Sequence, residues 1–345
     1  MKMDHEIIII GAGGIIKDAH LPAYKIAGFK VAGIFDLDTE KAEKLASHYN
    51  IPRVFNSLAE AVQASNVATV FDLAVPGREI LNVLKEIPDS SVILIQKPMG
   101  EDIEMAREIL KFCREKNLKA GINFQLRYAP FITQAKELIA EGKLGEICDI
   151  EINVNVFTPW HLWGFLKSLP RMEILYHSIH YIDLVRTFLG NPQGIYAKSI
   201  KHPSSEELAS VRSNIIMDYG MFKRASILTN HNHGYSEKYQ RSFIKIEGTK
   251  GAIRIEIGVL KAYPKGKDDK FEYIFFDNNE DWQEIKVEGT WFPHAFIGSM
   301  EEMFKVRKNN DYIPDNSVED CIHTMSCVEA AYISSEQGGI APGEI

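Results

Sequence analysis

The chain has 345 residues, and 39 lysines and arginines against 47 aspartates and glutamates give it a formal net charge of −8 with the histidines neutral. The length predicts two domains, because one domain usually takes about 100 to 200 residues. With 45% hydrophobic and 25% charged residues, the composition excludes a largely disordered or fibrous chain. The acidic balance argues against nucleic acid or an anionic membrane as the main partner, and it favours a small polar or neutral ligand.

The chain begins with a short polar stretch that leads into four isoleucines at positions 7–10. This apolar run is too short for a signal peptide or a membrane span, and no later run is longer. We therefore expect a cytoplasmic protein with no membrane partner.

Residues 1–122 alternate short apolar runs with amphipathic stretches, a pattern that predicts a parallel sheet with crossover helices. Ser57 followed by Glu60 predicts a capping box at the start of one helix. The predicted strands are Glu6–Ile10, Lys30–Phe35, Ala68–Val75, Val92–Ile95 and Leu118–Ile122.

The pattern changes near residue 123, where longer alternating segments predict a mostly antiparallel sheet. The predicted strands of this part are Glu146–Phe157, Gly194–Ile200, Ala209–Asp218, Phe222–Thr229, Phe243–Glu247, Ala252–Ile257 and Phe271–Phe276. Predicted helices cover Phe131–Glu141, Ala295–Arg307 and Val318–Ser335.

The first predicted strand ends in a glycine-rich turn, Gly11-Ala12-Gly13-Gly14-Ile15-Ile16. Backbone amides and a helix N-terminus at such a turn bind a dinucleotide pyrophosphate, so we assign Gly11, Gly13, Gly14 and Ile15 to a cofactor site. The third position of the fingerprint is Ile16 in place of glycine or alanine, which predicts looser packing of the helix.

Asp36 ends the second predicted strand and stands 20 residues after Ile16. A carboxylate at this place accepts both ribose hydroxyls and repels a 2′-phosphate, which favours NAD over NADP. Asp38 is close enough in sequence to take the same role, and the sequence leaves both residues open.

Two further strand ends belong to the same crevice, because ligands of such sheets bind beyond the carboxyl ends of the strands. Val75-Pro76-Gly77 follows one apolar run, and Gln96-Lys97-Pro98 follows the next. A residue before proline is held extended, so we expect Lys97 to project into the cleft. Val75, Pro76, Gln96 and Lys97 are therefore assigned to the cofactor site.

Residues 173–189 predict a helix with a continuous apolar stripe and a polar face opposite to it. Titratable groups occupy that face: Glu173, Tyr176, His177, His180 and Asp183. Such groups suit proton transfer near neutral pH, and the alternative is a water-exposed face without catalytic function. We expect no metal, because His177 and His180 have no third histidine or cysteine nearby at ligand spacing.

The segment before this helix, residues 157–165, is too aromatic and irregular for an ordinary strand. Aromatic faces pack on the C–H faces of sugars, which favours a substrate loop that contains Trp160, His161 and Trp163. A domain or subunit contact is the alternative, and the two interpretations are compatible.

Taken together in chain order, these residues resemble the Gfo/Idh/MocA oxidoreductases. The match consists of Gly11-x-Gly13-Gly14 with His20-Leu21-Pro22-Ala23, Asp36, Gln96-Lys97-Pro98, Asn123-x-x-x-Arg127 with Pro130, and His180-x-x-Asp183. The resemblance implies a Rossmann NAD-binding domain, residues 1–122, and an α/β domain with an open, mostly antiparallel sheet, residues 123–345. That second domain would bind substrate and form homodimer or homotetramer contacts.

The resemblance also implies a reaction, hydride transfer between a nicotinamide cofactor and a hydroxyl or carbonyl of a sugar, inositol or related polyol. By position, Lys97 looks like the lysine of the family's Glu-Lys-Pro motif, and His180 like the histidine of its Asp-x-x-x-His pair. Gln96 replaces the family glutamate, and Tyr176 replaces the family aspartate. Either Tyr176 and His177 take over the hydrogen bonds of that aspartate, or activity is reduced or lost.

We expect an NAD-dependent dehydrogenase that acts on a secondary hydroxyl. His180 acts as general base, Lys97 stabilises the developing alkoxide, and Arg127 contacts the substrate together with the aromatic segment. Two alternatives stay open: a regulator that binds NAD and sugar without turnover, and an NAD-assisted glycosidase that is redox-neutral over its cycle.

Overall fold

The computed structural model describes residues 5–162, 164–262, 265–277 and 281–342. The chain forms two compact units. The first runs to Ala129 and includes Trp291–Met325, and the second holds Pro130–Thr290 and the chain from Ser326 onward. Within the described ranges, no helix combines the length and the apolar composition needed to cross a membrane.

A five-stranded parallel sheet forms the centre of the first unit, in the strand order β2-β1-β3-β4-β5. The strands are β1 Glu6–Ile10, β2 Lys30–Phe35, β3 Thr69–Leu73, β4 Val92–Gln96 and β5 Lys119–Asn123. β1, β3 and β4 are buried along their whole length, as expected of the central strands of a parallel sheet. The strands predicted for this part of the chain are therefore confirmed to within a few residues.

The helices between these strands are α1 Leu21–Ala27, α2 Thr39–Tyr49, α3 Leu58–Gln63, α4 Ile80–Glu86 and α5 Ile103–Glu115. At the start of α3, Ser57 Oγ accepts a hydrogen bond from the backbone N–H of Glu60 at 3.1 Å. Glu60 Oε2 accepts in return from the backbone N–H of Asn56 at 2.9 Å. The predicted cap at Ser57 is thus present, with the return bond one residue earlier than in a standard capping box.

The first unit is completed by a segment from the far end of the chain. Helix α8, Ala295–Lys308, contacts β3, β4 and β5 and buries Phe296, Met300 and Met303 in the core of the first unit. The compact units therefore differ from a linear division at residues 122 and 123. The physical reason is that a sheet must cover its apolar surface, and here α8 supplies part of the cover.

An eight-stranded sheet forms the second unit, in the order β13-β12-β11-β10-β6-β9-β8-β7. Neighbouring strands are antiparallel except β6 and β9, which are parallel. The strands are β6 Ile147–Asn155, β7 Gly194–Ile200, β8 Arg212–Asp218, β9 Arg224–Asn230, β10 Arg241–Gly248, β11 Gly251–Glu256, β12 Lys270–Phe275 and β13 Gln283–Ile285. The predicted open, mostly antiparallel sheet is confirmed.

Two helices of the second unit are α6, Pro130–Ala140, and α7, Ile179–Leu189. A third, α9, spans Val318–Gln337, so it begins in the first unit and ends in the second. α7 packs on β6 and β9. Burial alternates along β6, β8 and β9, so one face of the sheet is in the core while the other faces outward.

Candidate functional site

The turn after β1 has the open backbone that a dinucleotide needs. Gly11 has a φ of +107°, and a Cβ there would lie 2.4 Å from the carbonyl oxygen of Ala74, so only glycine fits. Gly13 and Gly14 are exposed, and a Cβ added to Gly13 would meet no atom within 4 Å. Phosphate groups can therefore approach the backbone closely, and the turn fits a nicotinamide dinucleotide.

The helix after this turn begins with a π-helical segment, Ile16–His20. The backbone N–H groups of Ile16 and Lys17 donate to the carbonyl oxygen of Gly13 at 3.1 and 3.2 Å. Ile16 is fully buried, and the half-buried Ile15 packs against the same core. The isoleucine that was expected to loosen the helix is thus accommodated inside the core.

Asp36 directly follows β2 and is tied to the glycine turn. Its Oδ2 accepts from the N–H of Ala12 at 2.5 Å, and its Oδ1 accepts from the N–H of Asp38 at 2.8 Å. Asp38 caps α2 and forms an ion pair with Lys41 at 2.9 Å, which holds the pKa of the Asp38 carboxyl below its usual value. Asp36 thus contacts the glycine turn directly, whereas Asp38 pairs with Lys41, and the choice of ribose acceptor between them stays a prediction.

Gln96 and Lys97 lie where β4 ends. Gln96 is buried, and its Oε1 accepts from the backbone N–H of Lys97 at 3.1 Å. Lys97 is half-buried, and loss of hydration at its ammonium lowers the pKa of that group to about 8. Of the residues assigned after β3, Val75 is half-buried and Pro76 is exposed.

A buried polar network that the sequence analysis did not predict includes residues of β3 and β5. Asp72 Oδ2 accepts from the Tyr24 hydroxyl at 2.7 Å and lies 2.8 Å from His20 Nδ1. His20 Nε2 lies 3.2 Å from Asn123 Nδ2, and Asn123 Oδ1 accepts from the Ser299 hydroxyl at 2.7 Å. The sequence signal for it was Asp72, a carboxylate inside an otherwise apolar strand.

Arg127, which the sequence analysis assigned to the substrate, is buried in the turn Gln125–Tyr128. Its guanidinium forms an ion pair with Asp320 at 2.7 Å and donates to the carbonyl oxygen of Asp315. Both partners belong to the segment that returns to the first unit. The structure gives Arg127 a role in fastening that segment, and its contact with substrate stays a prediction.

The helix that carries the candidate base is mostly buried. It consists of a π-helical segment, Ile174–Ser178, followed by α7. His180 and Asp183 are 6% and 1% exposed, whereas Tyr176 and His177 are half-buried. The alternative of a water-exposed polar face is therefore excluded, because Glu173, His180 and Asp183 are all buried.

The aromatic segment divides into buried and exposed residues. Trp160 is buried, its Nε1 donates to Asn232 Oδ1 at 2.9 Å, and its ring lies edge-on to His177 with 5.0 Å between centroids. His161 is exposed. Trp163 lies outside the described residues. The structure thus brings Trp160 and His177 together and leaves His161 at the surface.

His231, which the sequence analysis did not single out, completes this group. Its ring centroid lies 4.7 Å from that of His177 and 5.4 Å from that of Trp160. Its Nδ1 is 3.0 Å from the Thr158 hydroxyl, and its Nε2 is 3.4 Å from Glu173 Oε1. The sequence signal is weak, since only the polar run 229–233 at the end of a strand marks the position.

Comparison with known proteins gives matches over both parts of the chain. The family model for the NAD-binding Rossmann fold of the Gfo/Idh/MocA oxidoreductase family matches residues 5–124, and the model for its C-terminal alpha/beta domain matches residues 136–342. The chain is 24% identical to 1,5-anhydro-D-fructose reductase from Ensifer adhaerens over 261 residues, 75% of this chain and 77% of that protein.

Two solved structures share the fold. An oxidoreductase from Agrobacterium radiobacter in complex with NAD+, L-tartaric acid and magnesium has a TM-score of 0.80 at 18% identity, with 97% of each chain covered. Aldose-aldose oxidoreductase from Caulobacter crescentus, complexed with glycerol, has a TM-score of 0.79 at 13% identity, with 97% of this chain and 98% of that chain covered. The chain therefore belongs to the Gfo/Idh/MocA oxidoreductase family, with an NAD-binding Rossmann domain and the family's C-terminal α/β domain.

Proposed function

We propose that this protein is an NAD-dependent dehydrogenase that acts on a secondary hydroxyl, or the corresponding carbonyl, of a sugar, inositol or related polyol. The observation that carries the proposal is the state of Lys97. A partly desolvated ammonium with a pKa near 8 follows the carboxyl end of a strand of the dinucleotide-binding sheet. Ligands of such sheets bind in that place.

The proposed roles follow from the chemistry of the side chains. His180 takes the hydroxyl proton as general base, and Lys97 donates a hydrogen bond to the same oxygen and stabilises its developing negative charge. Tyr176 and His177 form hydrogen bonds to neighbouring groups of the substrate. The nicotinamide supplies the hydride acceptor when it is bound.

The preference for NAD over NADP rests on Asp36. Its carboxylate is fixed by the N–H groups of Ala12 and Asp38, and each oxygen keeps lone pairs that can accept from ribose hydroxyls. A 2′-phosphate would meet this negative charge. Gly11, Gly13, Gly14 and Ile15 then hold the pyrophosphate side of the cofactor, with Val75, Pro76 and Gln96 at the neighbouring strand ends.

A sugar or polyol substrate is favoured by the aromatic and imidazole groups of the second unit. Trp160 and His177 lie together there, and imidazole nitrogens exchange hydrogen bonds with hydroxyls. Two relatives are named for sugars, as a 1,5-anhydro-D-fructose reductase and an aldose-aldose oxidoreductase. His161, Trp163 and Arg127 are kept as predicted substrate contacts.

The test is absorbance at the reduced-nicotinamide band, with purified protein, NAD+ or NADP+, and a panel of unphosphorylated sugars, inositols, sugar acids and glycosides. We expect a signal with NAD+ for one group of substrates. A flat panel from protein that binds NAD+ would contradict the dehydrogenase.

Two other functions predict distinct outcomes of the same experiment. Tyr176 stands where the family has a carboxylate, which favours a regulator that binds NAD and sugar without turnover. For the regulator we expect sugar and cofactor to bind with no product. An NAD-assisted glycosidase would cleave a glycoside of the panel while it retains its cofactor and releases no reduced nicotinamide.

We also propose that the chain forms a homodimer or homotetramer through its open sheet. Apolar side chains of three adjacent strands are exposed on the outward face, namely Tyr196, Ile216 and Leu228, which are 63%, 46% and 42% exposed. Exposed apolar side chains on neighbouring strands are typical of subunit contacts.

A further inference from the structure

A buried carboxylate of the second unit has no role in the reaction described so far. Glu173 is 0% exposed. Its Oε1 accepts from the Ser178 hydroxyl at 2.7 Å and from the Thr229 hydroxyl at 2.8 Å, and it lies 3.4 Å from His231 Nε2. Burial opposes ionisation, but His231 and the hydroxyl groups hold the pKa of Glu173 below its usual value. The side chain is therefore an ionised carboxylate inside the protein.

Burial of this carboxylate destabilises the fold. Oε2 is buried and finds no hydrogen-bond partner among the described residues, whereas Oε1 accepts from two hydroxyl groups and lies near His231. A buried charge with an unsatisfied atom destabilises a protein, and an apolar residue of similar size is often neutral or stabilising in its place. The presence of the Glu173 carboxylate at a site where it destabilises the fold indicates a function other than packing.

The contacts of His231 show what Glu173 acts on. The His231 ring lies between the Thr158 hydroxyl, 3.0 Å from its Nδ1, and Glu173 Oε1, 3.4 Å from its Nε2. This ring is tilted by 54° to that of His177 with 4.7 Å between the centroids, and the ring of Trp160 lies 5.0 Å from that of His177. Of these three rings, that of His177 belongs to the half-buried residue, so it is the one that a ligand can reach.

We propose that Glu173 is a positioning residue that acts through His231 to fix the orientation of the ring of His177, the imidazole that meets the substrate. This inference rests on the proposed function for its substrate, while the coupling of Glu173 to His177 is a property of the protein alone. A carboxylate that orients one imidazole determines which ring nitrogen carries the proton. The ring of His231 in turn limits, by packing, the orientations that the ring of His177 can adopt.

The test compares three variants in protein whose histidine rings are labelled with ¹⁵N. Glu173→Gln keeps the shape of the side chain and removes its charge. His231→Asn removes the ring between Glu173 and His177, and His177→Asn assigns the His177 signals. The matched control is Glu329→Gln, which removes a carboxylate of the same unit that pairs with Arg171 at 2.6 Å.

The ring nitrogen signals of His177 are expected to move in both Glu173→Gln and His231→Asn, and to stay in place in Glu329→Gln. Two independent variants keep the test decisive if one of them does not fold. Unchanged His177 signals in the folded variants would overturn the inference, as would an equal change in the control.

Kinetic measurements provide the second test of the inference. With a substrate from the panel, kcat of Glu173→Gln is expected to fall about 10- to 100-fold, with KM and the affinity for NAD+ changed much less. Turnover equal to that of the unmodified enzyme would sink the inference. If the unmodified protein shows no turnover at all, the proposed function fails, and the ring signals alone decide the coupling of Glu173 to His177.

Discussion

Lys97 directly follows the end of a strand, and the pKa of its ammonium is lowered. Its ammonium is charged at neutral pH, yet loss of hydration brings its pKa to about 8. A charge that water solvates poorly interacts more strongly with an oxygen that becomes negative. Gln96 carries no charge, and its Oε1 accepts from the backbone N–H of Lys97.

Replacement of Lys97 by methionine removes the ammonium and keeps most of the apolar stem. We expect turnover to fall about 10²-fold or more, with a much smaller change in NAD+ affinity, because the charge acts on the reacting oxygen. Steady-state rates and a separate binding titration measure the two quantities. Unchanged turnover in Lys97→Met would remove the residue from the mechanism.

The pH profile provides an independent test of Lys97. The protonated form is the one that stabilises an alkoxide, and it is lost as the pH rises through about 8. We therefore expect kcat to decline above about pH 8. In Lys97→Arg the guanidinium stays charged over this range, so the decline should move to higher pH. A profile that is flat to pH 10 in the unmodified enzyme would contradict the assignment.

Asp36 is proposed to accept the ribose hydroxyls and to repel a 2′-phosphate, and a single substitution can separate these two roles. Asp36→Asn keeps oxygen and shape at the turn but removes the charge that repels a 2′-phosphate. We expect the ratio of NADP+ to NAD+ affinity to rise about tenfold or more, because like-charge contacts cost several kcal/mol. Asp38→Asn is the matched control, and an equal rise in that variant would shift the role to Asp38.

Two helices begin with a π-helical segment, Ile16–His20 and Ile174–Ser178, and each lies in a candidate binding region. π-helical segments are rare in proteins, and many of those that occur lie at functional sites. The first follows the glycine turn and ends at His20 of the buried network. The second contains Tyr176 and His177. Each π-helical segment therefore adjoins or contains residues that have a role in the proposed reaction.

Gly11→Ala and Gly13→Ala separate folding from cofactor binding. At Gly11, the positive φ and the carbonyl of Ala74 at 2.4 Å oppose a Cβ, so we expect the free energy of unfolding to fall by about 2 kcal/mol or more. At Gly13 a Cβ has room in the folded chain but enters the space needed by phosphate. We expect Gly13→Ala to keep its stability in urea and to bind NAD+ more weakly; equal stability losses in both variants would contradict this.

The elements differ, for physical reasons, in how closely the sequence predicts them. β1, β2 and β7 were predicted with their bounds, because apolar periodicity and β-branched residues are local signals. The π-helical segments were not predicted, since one extra residue in a helical turn hardly disturbs an apolar stripe. His231 was missed because its partners Glu173 and His177 are more than 50 residues away in the chain. Contacts of this length come from the tertiary fold.

At the scale of the molecule, the open sheet predicts an assembly. We expect light scattering to give the mass of two or four chains at micromolar concentration. Ile216→Lys places a charge in the apolar outward face and should shift the mass toward a single chain. Ile313→Lys, at a residue of the first unit that is 77% exposed, is the control. A monomer in the unmodified protein would overturn the proposed homo-oligomer.

The return of residues 291–325 to the first unit limits how such a gene can recombine. A single crossover near codon 124 would transfer the glycine turn, Asp36 and Lys97 to a new partner but leave α8 behind. The recipient would then have to supply its own match for Phe296, Met300 and Met303, or the transplanted sheet would expose its core. Transfer of the whole first unit between relatives by recombination therefore requires three crossovers, at positions 129/130, 290/291 and 325/326, whereas point substitution at Asp36 requires none.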